Sequence, residues 1–262
     1  MKLSKIITFL EEKFPISLAE DWDNVGLLVG SRDSKVRGVL LSLDLTDSVI
    51  DKAIEVGANL IITHHPIIFA PLKKINSDTL VGRKIIRLIE SRISVYSMHT
   101  NLDSGKSGLN DFLGENILGL RNGKILDPME SNGREYGIGR IYKIEEGLSI
   151  EDLSILLKEK LNLKSISIVR AKGERGIKKI ALVSGAGASY WRKAKKLGAQ
   201  VLITGDVKYH EAVDAKEENF NLIDIGHFES EWIFSNLLEN LLKKEFEISI
   251  SIYNDGPVFE KM

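Results

Sequence analysis

Asn59-Leu60-Ile61-Ile62-Thr63-His64-His65-Pro66 is the stretch on which the fold of this chain turns. Leu60, Ile61, Ile62 and Thr63 form a short continuous run, and Pro66 stops it just beyond two adjacent imidazoles. A short apolar run bounded by breakers reads as a strand buried on both faces, typically in a parallel sheet. Ligands of open α/β sheets gather outside the carboxyl ends of the strands. His64 and His65 therefore stand where such a protein places its chemistry. The chain has five histidines. The other three, His99, His210 and His227, follow similar strands or lie close behind them.

Working outward, residues 39–43 read as a strand ending at Asp44. Thr46 suits the N-cap of a helix over 47–56, with Asp47 at the positive end of its dipole and Gly57 as its stop. Upstream, Leu3, Ile6, Ile7, Leu10 and Phe14 have helical spacing over 3–14, closed by Pro15. Residues 20–30 form a polar loop running into a short strand, with Trp22 either a packing anchor or a neighbour of the site. Downstream, a helix over 78–91 leads to a strand over 93–98, which delivers His99-Thr100-Asn101-Leu102-Asp103.

Residues 121–135 are polar and rich in Gly, Asn and Glu, and mark a domain boundary. The expected domains are 1–126 and 127–262, with the C-terminal helix and strand available to pack on the first. In the second half, strands over 136–144 and 165–170 flank a helix over 149–161, capped by Ser149 with Asp152 three residues on. A strand over 180–184 enters the turn Gly185-Ala186-Gly187-Ala188 and a helix over 189–197. A strand over 200–203, a helix over about 209–218 and a strand over 221–225 follow. The last delivers Gly226-His227-Phe228-Glu229-Ser230-Glu231, a long helix to about 243 and a final strand over 247–253.

The halves echo each other. Gly57-Ala58-Asn59-Leu60-Ile61-Ile62-Thr63 matches Gly198-Ala199-Gln200-Val201-Leu202-Ile203-Thr204, each preceded by a strand and a helix. Later in each half comes a histidine with a carboxylate four residues on: His99 with Asp103, and His227 with Glu231. A period of about 130 residues is too long for a solenoid. It implies α/β class, with two related α/β domains arising by duplication and presenting strand ends to a shared cleft. Chance resemblance between βαβ units is the competing explanation, and the shared Gly-Ala-x-x-x-Ile-Thr string counts against it.

Composition narrows the chemistry. Lys and Arg total 36 against 37 Asp and Glu, and a net charge of -1 argues against a generally basic nucleic-acid binder. The absence of cysteine excludes disulfides, thiolate metal sites and cysteine nucleophiles. No apolar run approaches the roughly 20 residues of a membrane span, and the N-terminus reads as an amphipathic helix start rather than a signal peptide. The expectation is a cytoplasmic protein.

The candidate ligands are His64, His65, Asp103, His227 and Glu231. Imidazole and carboxylate donors suit Zn, Fe, Mn, Co or Ni. Five side chains exceed what one metal with an open catalytic position takes from protein. Two divalent ions sharing a bridging carboxylate use them well. Adjacent histidines on a strand point in opposite directions, so His64 and His65 cannot easily chelate one ion, but each could serve a different ion if the chain bends there. His227 and Glu231 share a face if a helix starts at 227, which would let Glu231 bridge. His99 and His210 are candidates for catalytic proton transfer or for orienting ligands.

Ser184-Gly185-Ala186-Gly187-Ala188-Ser189 reads either as a phosphate cradle or as a tight strand-to-helix turn; it lacks the dinucleotide fingerprint and the P-loop lysine. The basic runs over 192–196 and 172–179 read as solvated faces or as an anion-meeting lining.

Five motifs in unbroken order carry a family resemblance: Asp21-Trp22-Asp23-Asn24-Val25-Gly26-Leu27, Thr63-His64-His65-Pro66, His99 to Asp103, Thr204-Gly205-Asp206-Val207-Lys208-Tyr209-His210, and Gly226 to Glu231. Over about residues 3–255 the chain resembles the Nif-three-like family, also labelled GTP cyclohydrolase I type 2. The resemblance implies a dinuclear metal site in the cleft between two α/β domains. The implied ligands are His64, His65, Asp103, His227 and Glu231, with Glu231 bridging. It also implies a toroidal homohexamer with sites facing its cavity. Longer members carry an inserted domain, and this chain resembles the compact form.

The expected function is a metal-dependent hydrolase of a nucleotide or similar anionic small molecule. The alternative is a non-catalytic metal-binding ring for a protein or nucleic-acid partner. A purely structural zinc site would favour Cys and four closed ligands.

Overall fold

The computed structural model describes residues 1–131, 134–173 and 176–260. The chain forms two compact units. One comprises Met1–Gly105 with Phe234–Gly256, and the other Lys106–Ile233 with the tail from Pro257.

In chain order, α1 (Leu3–Lys13), β1 (Gly26–Val29), β2 (Gly38–Ser42), α2 (Asp47–Glu55), β3 (Leu60–Thr63), α3 (Leu80–Glu90), β4 (Ser94–Ser97) and α4 (Thr100–Ser104) build the first unit. The second begins with α5 (Leu109–Asp111), which continues into a π-turn over Phe112–Ile117. β5 (Lys124–Ser131), β6 (Arg134–Leu148), α6 (Ile150–Leu161), β7 (Ser167–Val169), β8 (Ile177–Leu182), α7 (Trp191–Lys196), β9 (Val201–Thr204), α8 (Tyr209–Glu217), β10 (Asn221–Asp224) and α9 (His227–Glu231) complete it. The chain then returns to the first unit with α10 (Phe234–Glu245) and β11 (Ser249–Ile252).

Local chemistry explains many of these boundaries. Thr46 Oγ1 accepts from Val49 N at 3.2 Å at the start of α2, and Ser149 Oγ accepts from Asp152 N at 3.0 Å at the start of α6. Each satisfies a backbone donor that the first helical turn leaves open. α1 buries Leu3, Ile6, Ile7 and Leu10, a stripe at helical spacing.

The first sheet has the order β1-β4-β3-β2-β11, and the second β5-β6-β8-β9-β10-β7. β2, β3 and β4 run parallel in the first, as do β8, β9 and β10 in the second. In each, the last of the three is flanked by an antiparallel edge strand, β1 or β7, that precedes the trio in sequence. This shared topology accords with duplication. The halves diverge on the other side, where β11 runs parallel to β2 and β6 antiparallel to β8. Ile61 on β3 and Leu202 on β9 occupy matching places and are fully buried in their respective cores. Such side chains contribute about 2 kcal/mol each by leaving water.

The domain boundary expected near residue 126 falls instead between Gly105 and Lys106. The polar segment over 121–135 contains β5 and the start of β6, which pair with each other as a hairpin. The chain ahead of it is tied to the second unit by buried polar contacts. Arg140 donates from Nε and Nη2 to the two oxygens of Asp111 at 2.5 and 2.9 Å, and Asn110 Oδ1 accepts from Ser184 N at 2.9 Å. The long helix expected from residue 227 is two helices, α9 and α10, separated at Trp232 and Ile233. No helix among the described residues is long and apolar enough to cross a membrane.

Candidate metal centre

β3 ends at Thr63, and the chain bends through His64 and His65. Two hydroxyls hold the bend: Ser97 Oγ donates to the His64 carbonyl at 2.8 Å, and Thr63 Oγ1 to the His65 carbonyl at 2.8 Å. Strand alternation therefore no longer applies, and the two rings lie 5.2 Å apart. His99, two residues beyond β4, brings its ring to 5.1 Å from His64 and 5.5 Å from His65. One potential ligand atom from each of the three lies within 4.8 Å of the others, close enough to hold an ion. Asp103, one helical turn after His99 on α4, places Oδ1 3.7 Å from His64 Nε2. This first-unit group gathers at the carboxyl ends of neighbouring parallel strands.

Each ring is fixed through Nδ1. The His64 atom lies 2.7 Å from the Met98 carbonyl, the His65 atom 2.8 Å from Asp44 Oδ1, and the His99 atom 2.9 Å from Asp23 Oδ1. A carbonyl or carboxylate oxygen can only accept, so Nδ1 carries a proton, and in the neutral ring Nε2 keeps the lone pair. Asp23 also accepts from Thr100 N at 3.0 Å and Thr100 Oγ1 at 2.5 Å. Burial alone would raise the Asp23 pKa. The bonds from His99 and Thr100 and the His99 charge outweigh it, and the carboxyl is lowered from 3.8 to about 2.

In the second unit, α9 starts at His227, and the i, i+4 pair shares a face, with His227 Nε2 2.9 Å from Glu231 Oε2. His227 Nδ1 lies 2.7 Å from Asp206 Oδ2, again fixing the tautomer. Gly185, at φ +62°, leaves room for the pair: a Cβ there would overlap Glu231 Oε1. Gly205 allows a second close approach, since a Cβ would sit 2.7 Å from His227 N. His210 is exposed on the first turn of α8, its ring 5.5 Å from that of Tyr209.

A donor set of imidazoles and carboxylates, with ring orientation set by outer acceptors, is the pattern of metal-binding histidines. The residues present fit a divalent metal. The sequence profile of Duf34/NIF3 (NGG1p interacting factor 3) matches residues 1–255. The chain belongs to the Duf34/NIF3 family. A Clostridium perfringens relative named GTP cyclohydrolase 1 type 2 homolog is 47% identical over 234 residues, covering 88% of this chain and 87% of that one. The crystal structure of a Staphylococcus aureus hypothetical protein superposes with a TM-score of 0.90 at 32% identity, covering 100% of this chain and 99% of its own. A Bacillus cereus protein related to NIF3 gives 0.86 at 25% identity, covering 100% and 99%.

Within this member of the Duf34/NIF3 family, several minor motifs resolve. In the Gly-rich turn, protein groups already occupy three of the N–H donors that a phosphate cradle would use. Ser184 N donates to Asn110 Oδ1, Gly185 N to Ser230 Oγ, and Gly187 N to Thr204 Oγ1, each at 2.9 Å. Three of the four basic residues over 192–196 are paired: Arg192 with Asp214 at 2.7 Å, Lys193 with Asp127, and Lys195 with Glu218 at 3.1 Å. The run over 172–179 includes residues 174 and 175, which lie outside the described residues. Trp22 is no packing anchor, being 56% exposed with its ring 5.9 Å from that of His99.

Sequence reasoning missed the orienting carboxylates Asp23, Asp44 and Asp206. Their signal was present. Asp44 and Asp206 each lie two residues beyond a strand, and each precedes its histidine partner by 21 residues.

Proposed function

We propose that the chain is a metal-dependent hydrolase of a nucleotide or a similar anionic small molecule. In this reading His64, His65, Asp103, His227 and Glu231 hold two divalent ions, with Glu231 bridging and Zn, Fe, Mn, Co or Ni as the candidates. The observation that carries it is the fixing of four histidines through Nδ1, by Met98, Asp44, Asp23 and Asp206, which reserves Nε2 in each. Paired ions would supply Lewis acidity and make water a nucleophile near neutral pH. His99, held by Asp23 beside His64 and His65, carries protons to and from the reacting groups. His210, exposed on α8, is the weaker candidate for that task. The relatives' name favours GTP, whose hydrolysis would open the imidazole ring of guanine and release formate.

The test is formate release from GTP by purified, metal-analysed protein reconstituted with Mn, Zn, Fe or Mg. A His64→Ala/Glu231→Ala double variant is the control. Metal-dependent release that vanishes in the variant supports the reading. Two bound metals per chain with no consumption of GTP under any loading would remove GTP as substrate.

The proposal extends to self-association as a toroidal homohexamer in the cytoplasm. Leu72, Ile75, Leu80 and Ile89 are 40–60% exposed and offer apolar contact surface. The same surface supports a second reading, a metal-loaded ring that holds a protein or nucleic-acid partner without turnover. Sedimentation of the metal-loaded protein tests the assembly.

A further inference from the structure

Two of the largest exposed apolar side chains lie together beside the first-unit histidines. Trp22 is 56% exposed and Phe69 58% exposed, with ring centroids 5.7 Å apart and planes inclined at 45°. The Trp22 and His99 rings lie 5.9 Å apart with their planes at 75°. Scattered exposed apolar residues are ordinary, but these two sit on loops that are fastened in place. Asp23, next to Trp22, spends its carboxylate on His99 Nδ1, Thr100 N and Thr100 Oγ1. Glu20 N donates to Thr100 Oγ1 at 2.9 Å. Asn24 Nδ2 donates to the Ile68 carbonyl at 2.5 Å, joining the Trp22 loop to the residue before Phe69. Asp23 thus positions a site histidine through one oxygen and pins the aromatic loop through the other.

We infer that Trp22 and Phe69 form a stacking wall for the planar heteroaromatic ring of a ligand whose anionic part lies toward the His64–His65–His99 group. Every nucleobase has a π-face, and an indole held rigidly open to solvent offers it area at little ordering cost. Imidazoles and any ion they hold attract the anionic end. The inference deepens the nucleotide-hydrolase reading and rests on it for the ligand class.

The test reads binding rather than turnover. Affinities of GTP, ATP, CTP and inorganic triphosphate are measured calorimetrically on the metal-loaded full chain, for wild type, Trp22→Ala, Trp22→Phe and Phe69→Ala. The wild type binds nucleotides more tightly than triphosphate. Trp22→Ala weakens nucleotides about 10-fold or more and leaves triphosphate unchanged, whereas Trp22→Phe retains most of the affinity. Phe69→Ala gives the same pattern to a lesser degree, and carries the test if Trp22→Ala does not fold. Equal affinity of wild type for nucleotides and triphosphate overturns the inference, as does a parallel loss for both ligand types in the variants. A changed oligomeric mass with unchanged nucleotide affinity also overturns it, assigning the aromatics to a contact between copies. Base-dependent binding without hydrolysis would refute the catalytic reading alone.

Discussion

Replacing Asp23 by asparagine removes one oxygen from a site that uses both. The carboxylate accepts from His99 Nδ1, Thr100 N and Thr100 Oγ1, and its side chain has no exposed surface. An asparagine oxygen can serve only one side of this arrangement, and its NH2 group would confront a donor on the other. Holding the native carboxyl at about 2 rather than 3.8 stabilises the fold by about 2 kcal/mol at neutral pH. Asparagine presents the same donor mismatch as the protonated carboxyl, so Asp23→Asn is expected to lose about 2 kcal/mol in urea denaturation at about pH 7. The sign of the pH dependence follows from the lowered folded-state value. The contribution is complete above the unfolded pKa and is lost as pH falls through the folded one. The gap between wild type and variant should therefore be full above about pH 5, about half by pH 3 and nearly closed at about pH 2. A gap below about 0.5 kcal/mol at neutral pH, or one unchanged down to about pH 3, would refute the reasoning.

Asp44→Asn and Asp206→Asn each weaken the tie on a histidine Nδ1 and should lower metal affinity about 10- to 100-fold with circular dichroism unchanged; competition with a chromogenic chelator reads this directly. Gly185→Ala meets both a left-handed backbone and the Glu231 carboxylate. It should cost about 1–2 kcal/mol from the backbone alone and reduce metal content by elemental analysis, and native stoichiometry in this variant would count against the geometry. Thr46→Ala removes the N-cap of α2 and should cost about 1 kcal/mol in thermal or urea unfolding while leaving metal content unchanged.

The sequence by itself determined the parallel α/β trios, the strand ends carrying histidine, and the caps at Thr46 and Ser149. These rest on local information: a four-residue apolar run, a period of side chains, a hydroxyl ahead of a helix. The echo between 57–63 and 198–204 likewise pointed to two sheets whose strand orders correspond. The boundary between the units was not legible, because Asp111–Arg140 and Asn110–Ser184 bind residues 29 and 74 apart, and polarity along 121–135 could not reveal a hairpin. The Gly-rich turn showed the same limit: its composition allowed a phosphate cradle, but Asn110, Ser230 and Thr204 take three of its N–H donors. At the candidate site, sequence named the histidines but not Asp23, Asp44 and Asp206, which set their tautomers. Residue type and spacing along a strand or helix are properties of the chain, whereas the hydrogen-bond partner of a ring nitrogen depends on which strands lie side by side. That choice, and with it the direction in which each imidazole offers its lone pair, belongs to the tertiary structure.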